Sequence, residues 1–130
     1  VDRFASFEGN TRPYILYTIV RIKSILNKAE GFNAENSILV PQSEAERALM
    51  LQLAKFNEVI ELSFRDRAPH KICEFIYELS NNFNKFYNDT RILSEEDEAK
   101  KASWLSLINL VKNVLEQGLD LLGMESVERM

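Results

Sequence analysis

One cysteine, one histidine and one tryptophan stand among 130 residues. Cys73 alone cannot form an internal disulfide, which fits a reducing compartment such as the cytoplasm. His70 and Cys73 are three residues apart, yet a metal would need two further ligands, and only carboxylates remain to supply them, a poor set for zinc. Nor do they form a nucleophile–base pair, because nothing orients the imidazole. His70, following Pro69, reads instead as a first-turn helix residue with a local hydrogen bond. The four glycines form no phosphate-cradling loop. No apolar run approaches the ~18 residues that span a bilayer, and no signal peptide heads the chain. A basic surplus is missing too: the net charge is −4, the wrong sign for a free-standing nucleic-acid binder. These absences leave one ordinary globular domain over 1–130, at 45% hydrophobic and 28% charged residues. It has no catalytic constellation, metal or cofactor of its own.

What is present is charge sorted by place. From Arg12 onward, Arg12, Arg21, Lys23 and Lys28 occur with no acid before Glu30, while acid gathers at Glu44, Glu46, Glu58, Glu61 and Glu95–Glu98. The basic stretch, Phe7 to Ala29, organises the chain. Gly9 and Asn10 break preceding structure, Asn10 or Thr11 caps a helix, and Pro13 suits its first turn. At about 100° per residue, Ile15, Ile19, Ile22, Leu26 and Ala29 share a core face. Tyr14, Tyr17, Arg21, Ser24 and Lys28 lie nearly opposite. A helix folds on one apolar stripe, so the two tyrosines need a second reason. Rings interleaved with cations suit stacked bases and phosphates; spacing alone favours packing of both rings against a neighbouring helix or domain.

The periodicity predicts five helices near 11–30, 43–55, 57–66, 69–91 and 95–122, an all-α five-helix bundle. Gly31 ends the first, and Asn33, Asn36, Ser37 and Pro41 mark 32–42 as a loop. Ser43 with Glu46 is a capping box, followed by Ala45, Leu49, Leu53 and Phe56 facing inward. Asn57 starts the third helix, with Val59, Ile60 and Phe64 inward, and Ala68-Pro69 stops it. Ile72, Ile76, Leu79, Phe83 and Phe86 form the stripe of the fourth, with Tyr77, Tyr87 and Arg91 on its flank. Phe75 and Trp104 also sit at core spacing. Ser94 with Asp97 caps the fifth helix, and the acidic run from Glu95 to Glu98 complements its dipole as a solvated first turn. Ala99, Ala102, Leu105, Ile108, Val111, Leu115 and Leu119 give that helix its apolar face; Gly118 kinks it and Gly123 ends it.

Three strings carry a resemblance. FEGNTRPYILYTIVRIKSIL is similar to a Phe-Glu-Gly-Asn/Asp-Thr-Gly-Pro-Tyr-x-x-Tyr pattern followed by Arg four residues on, met here by Phe7, Glu8, Gly9, Asn10, Thr11, Pro13, Tyr14, Tyr17 and Arg21. Arg12 stands for the usual Gly and Leu16 for a common Gln. PHKICEFIYELSNNFNKFYNDTRIL resembles a Tyr-x-Leu-Ala stretch, then Phe-x-x-Phe-Tyr, then Arg-Val-Leu, with Ser80 for Ala and Thr90 where many relatives have Cys. The closing MESVERM resembles Ile-x-x-Pro-Glu-Arg-Met, with Val127 for Pro. Together they resemble the C-terminal DALR-type anticodon-binding domain of arginyl-tRNA synthetases, a class Ia family, in its bacterial form.

The resemblance implies a helical bundle that recognises the anticodon loop of tRNA(Arg), including its central cytosine. It implies tRNA-binding roles for Tyr14, Tyr17, Arg21, Tyr87, Arg91 and Met130, the last as the final residue of the native enzyme. Residues 1–8 would be the tail of a connection from a catalytic domain of the same parent chain, and a chain opening at Val1 reads as a fragment. The family's His-Ile-Gly-His and Lys-Met-Ser-Lys-Ser motifs for ATP are absent, so this stretch alone is expected not to activate arginine; ATP would act in the parent's catalytic domain. The competing reading from the residues is a structural or protein-interaction bundle in which Tyr14 and Tyr17 form a groove for a partner helix.

Overall fold

In the computed structural model the chain enters on a single π-helical turn, Phe7–Thr11, and passes without interruption into α1, Arg12–Lys28. The structure describes the backbone of residues 7–29 and 38–128, and the side chains of 9–29 and 38–123. Gly9 and Asn10 therefore do not break the chain, and Thr11 does not cap it. Thr11 has helical backbone angles and no side-chain cap hydrogen bond, because the wider turn before it continues the spiral. Pro13 does sit in the first turn, where its missing N–H costs nothing. The helix closes at Ala29, whose N–H donates to the Leu26 carbonyl 3.3 Å away; Gly31 lies outside the described residues.

Four helices follow: α2, Glu44–Ala54; α3, Phe56–Arg65; α4, His70–Asp89; and α5, Glu98–Glu128. The described residues contain no strand, so the all-α, five-helix expectation holds. No helix is long and apolar enough to cross a membrane among the described residues.

The start of α2 is the predicted capping box with one change of partner. Ser43 Oγ accepts from the Glu46 N–H at 3.1 Å, but the Glu46 carboxylate accepts from the Gln42 N–H, also at 3.1 Å, rather than from Ser43. At α3 the inward face is Phe56 and Ser63, with Val59 and Ile60 partly buried. Phe64 is 61% exposed, contrary to expectation. The stripe runs i, i+3, i+4, i+7 from Phe56, which turns position 64 outward.

The α3–α4 corner is a Schellman turn built without glycine. Arg67 adopts a left-handed φ of 52°. Its N–H donates to the Phe64 carbonyl at 3.3 Å, and the Ala68 N–H donates to the Ser63 carbonyl at 2.9 Å. The Ser63 hydroxyl closes the corner by donating to the Ala68 carbonyl at 3.0 Å. Pro69 then launches α4, with His70 as its first residue.

The fifth helix starts later and ends later than expected. Asp97, not Ser94, is the cap: its carboxylate accepts from the N–H groups of Ala99 and Lys100 at 3.1 and 3.2 Å. Ala99 is consequently exposed in the first turn. The helix runs unbroken through Gly118, and Gly123 does not end it, since the spiral runs on to Glu128.

Helix α4 is the hub, packing against each of the other four. All five residues of its predicted stripe are buried, Ile76, Leu79, Phe83 and Phe86 completely. They meet Ile15 and Ile22 of α1, Leu49 of α2, and Leu107, Ile108, Val111 and Leu115 of α5 in one continuous core. Each such side chain contributes about 1.5–3 kcal/mol on leaving water. Phe86 meets Trp104 edge-on, with ring centres 6.2 Å apart and planes at 78°, and Phe75 stacks on Phe56 at 5.5 Å. This core fixes the end of α4 against the outer face of α1, where the polar residues gather.

Candidate functional site

Tyr17 and Arg21 are four residues apart on α1 and so project side by side. Tyr87 lies in the last turn of α4. The helix stops at Thr90, whose backbone is extended and whose N–H donates to the Tyr87 carbonyl at 3.4 Å. Ile92 is buried just beyond, which pins the exiting strand of chain beside α1 and carries Arg91 with it.

The result is a guanidinium held between two rings. The Arg21 carbon Cζ stands 5.1 Å from the Tyr17 ring centre and 4.7 Å from that of Tyr87. Its Nη2 donates to the Tyr17 hydroxyl at 3.0 Å, and its Nη1 donates to Asn84 Oδ1 at 2.7 Å. Two of the five guanidinium N–H donors are engaged there, and the other three meet no acceptor among the described residues. Tyr17 is 57% exposed and Tyr87 37%, leaving ring surface open for stacking.

These residues line one open groove of about 680 Å³ between α1 and the segment after α4. Its walls include Arg21, Lys28 and Arg91 and, among the described residues, no carboxylate. A chain of net charge −4 thus presents a groove whose own formal charge is positive, with aromatic rings at one end. An acceptor-rich, planar, anionic ligand suits such a wall better than an apolar helix does.

Tyr14 has a different setting. It is not on the groove wall. Its hydroxyl donates to Asn81 Oδ1 at 2.7 Å and accepts from Asn84 Nδ2 at 2.9 Å, and its ring leans on Tyr77 at 5.7 Å. The structure therefore gathers Tyr17, Arg21, Tyr87 and Arg91 around one groove and ties Tyr14 to it through Asn84. Met130 lies outside the described residues. Among the described residues, no group of three or more His, Cys, Asp or Glu side chains is placed to hold a metal ion.

Sequence reasoning passed over Asn81 and Asn84. A signal was available: three asparagines, Asn81, Asn82 and Asn84, fall within four residues of a helix. Asparagine is a poor helix former, costing up to about 0.7 kcal/mol each relative to alanine, so such a cluster needs a tertiary reason. Asn82 Nδ2 donates to Gln52 Oε1 on α2; Asn81 and Asn84 face α1.

Compared with known proteins, residues 15–130 match the family described as the DALR anticodon binding domain. The arginine–tRNA ligase of Alkaliphilus oremlandii is 60% identical over 132 residues, covering 100% of this chain and 22% of that protein. The ligase of Pasteurella multocida is 42% identical over 131 residues, covering 99% of this chain and 23% of its own length. Thermus thermophilus arginyl-tRNA synthetase has a similar fold, with a TM-score of 0.78 at 35% identity, over 90% of this chain and 21% of that one. The chain spans less than a quarter of the length of each of these relatives.

Proposed function

The chain belongs to the DALR anticodon-binding domain family, and from that premise we propose that it is the tRNA-reading domain of an arginine–tRNA ligase. The observation that carries the reading is the groove: Arg21, Lys28 and Arg91 with Tyr17 and Tyr87, and no acid among the described residues of its walls. An anticodon loop offers unpaired bases with open faces and a phosphate chain. Bases stack on the exposed rings, the remaining Arg21 donors meet a base edge or a phosphate, and Lys28 and Arg91 neutralise the backbone. We assign tRNA contacts to Tyr17, Arg21, Tyr87 and Arg91 on the groove and to Met130, with Tyr14 beside them as a support of the same surface.

Chemistry belongs to the rest of the parent enzyme in this reading. That part would use ATP to adenylate arginine and then transfer it to tRNA. The present domain binds the anticodon loop so that the acceptor end reaches the distant active site. The overall negative charge keeps non-specific affinity for nucleic acid low, so recognition rests on the groove.

The test is titration of the chain with an RNA hairpin carrying the anticodon loop of tRNA(Arg), against a hairpin with the central cytosine replaced. Tighter binding of the first is expected. Equal binding of both would remove base recognition, and no binding of either would remove the RNA reading.

A further inference from the structure

We propose that Asn84 is the positioning residue of the groove, holding the Arg21 guanidinium in the slot between Tyr17 and Tyr87. Its use in RNA binding rests on the anticodon reading above; its hold on Arg21 does not.

The side-chain amide is locked from both ends. Arg21 offers only donors, so the oxygen of Asn84 must face it, and Oδ1 accepts from Nη1 at 2.7 Å. The nitrogen must then find acceptors, and three surround it. They are the Tyr14 hydroxyl at 2.9 Å, the Ser80 carbonyl at 3.0 Å and Thr18 Oγ1 at 3.2 Å. The nitrogen has two protons for these three acceptors, so one N–H is shared between two of them. The Tyr14 hydroxyl gives its proton to Asn81 Oδ1 at 2.7 Å, and the Thr18 hydroxyl gives its own to the Tyr14 carbonyl at 3.0 Å. Both oxygens thus have lone pairs free to accept from Asn84. Reversing the amide would set a donor against Arg21 and leave three acceptors facing an oxygen.

Thr18 is fully buried, and Ser80 is buried on α4, so the lock is anchored in the core and only its outer end reaches the groove. Without it, Arg21 keeps one hydrogen bond among the described residues, to Tyr17, on a long side chain with many rotamers to regain. Fixing the guanidinium in advance spares that ordering cost on binding. It also accounts for Tyr14, which lies off the groove wall yet helps to set the amide.

Two measurements test the proposal on the 130-residue chain. The first uses no RNA. In nitrogen-edited NMR spectra, the Arg21 side-chain N–H signal, identified by its loss in Arg21→Lys, should be displaced by the two flanking rings. Asn84→Ala should return it to the position of a free arginine, and Asn84→Asp, which keeps an acceptor oxygen, should hold it displaced. An Arg21 signal unmoved by Asn84→Ala overturns the proposal. The second is a double-mutant cycle in binding of the tRNA(Arg) anticodon hairpin. Asn84→Ala should weaken binding about tenfold beside a native Arg21, the scale of one hydrogen bond to a charged group. Beside Arg21→Ala it should weaken binding less than about twofold. Equal losses in both backgrounds overturn the proposal even where RNA binds well. Absence of hairpin binding by the unmodified chain would strike the anticodon reading, with the NMR result still deciding Asn84.

Discussion

Adding one methyl group at Gly118 tests how α4 is held against α5. By local propensity the change should help, since alanine in a helix interior is about 1 kcal/mol better than glycine. The packing says otherwise. A Cβ built at this position would stand 2.5 Å from Ile76 Cγ2 and 3.5 Å from Ile76 Cδ1. Carbon atoms pack best at about 3.5–4.0 Å, so the nearer contact is short by about 1 Å or more. Ile76 is fully buried, and its Cγ2 sits on the branched carbon beside the backbone, so no simple rotation clears the clash. Overpacking of this kind costs about 1–3 kcal/mol, and the tight contact places it toward the upper end. The net expectation for Gly118→Ala is a loss of about 1–2 kcal/mol, or a fall in Tm of roughly 4–8 °C at this size. Thermal and urea unfolding followed by far-ultraviolet circular dichroism measure it. A companion cycle sharpens the result: Ile76→Ala should cost about 2–5 kcal/mol beside Gly118 and clearly less beside Ala at 118, because the cavity then receives the new methyl group. An unchanged or raised Tm in Gly118→Ala would refute the argument that close helix approach is what this glycine serves.

Tyr87→Ala should weaken anticodon-hairpin binding about five- to a hundredfold, from the loss of roughly 1–3 kcal/mol of stacking, with the far-ultraviolet spectrum preserved; unaltered binding would make the ring structural only. Arg21→Ala should lower the slope of log K against log salt by about 0.7 if it removes a phosphate contact on a single strand, or relax discrimination at the central base if it removes a base contact; neither change would exclude Arg21 from the interface. The purified chain should show no arginine-dependent pyrophosphate exchange, and such exchange would contradict the recognition-only role. Asp66 is held below its ordinary carboxylate range by hydrogen bonds from Lys71 at 2.7 Å and Arg65 at 3.3 Å. A depressed pKa contributes stability that is present above the ordinary range and lost as pH falls through the folded value. Asp66→Asn should therefore flatten the acid limb of the stability profile slightly, and identical acid limbs would show that the exposed pairs contribute nothing.

The sequence by itself determined the class of the fold and most of its interior. Helical spacing in Ile72, Ile76, Leu79, Phe83 and Phe86 is a local property, and a helix with such a stripe must bury it. Ser43 with Glu46 and Pro69 likewise act through neighbours only a few residues away. Tyr17, Arg21 and Tyr87 were visible because aromatic and basic side chains opposite a complete core stripe have no folding reason to be there, and because the strings around them resemble a known domain. Tertiary structure decided what depends on distant partners. Phe64 turned outward because the pairing of α3 with α4 chose one of two neighbouring phases. Gly118 reads locally as a kink, yet Ile76 of another helix makes it a point of close approach. Asp97 displaced Ser94 as a cap because Ile92 buries itself first and delays the helix. Arg67 made a left-handed turn that nothing but the following hydrogen bonds reveals. Asn84 is the clearest case. Its three acceptors and one donor come from Tyr14, Thr18, Ser80 and Arg21, and three of these four are more than sixty positions away. An amide's role is set by what faces its two ends, and only the packing of α4 on α1 supplies both.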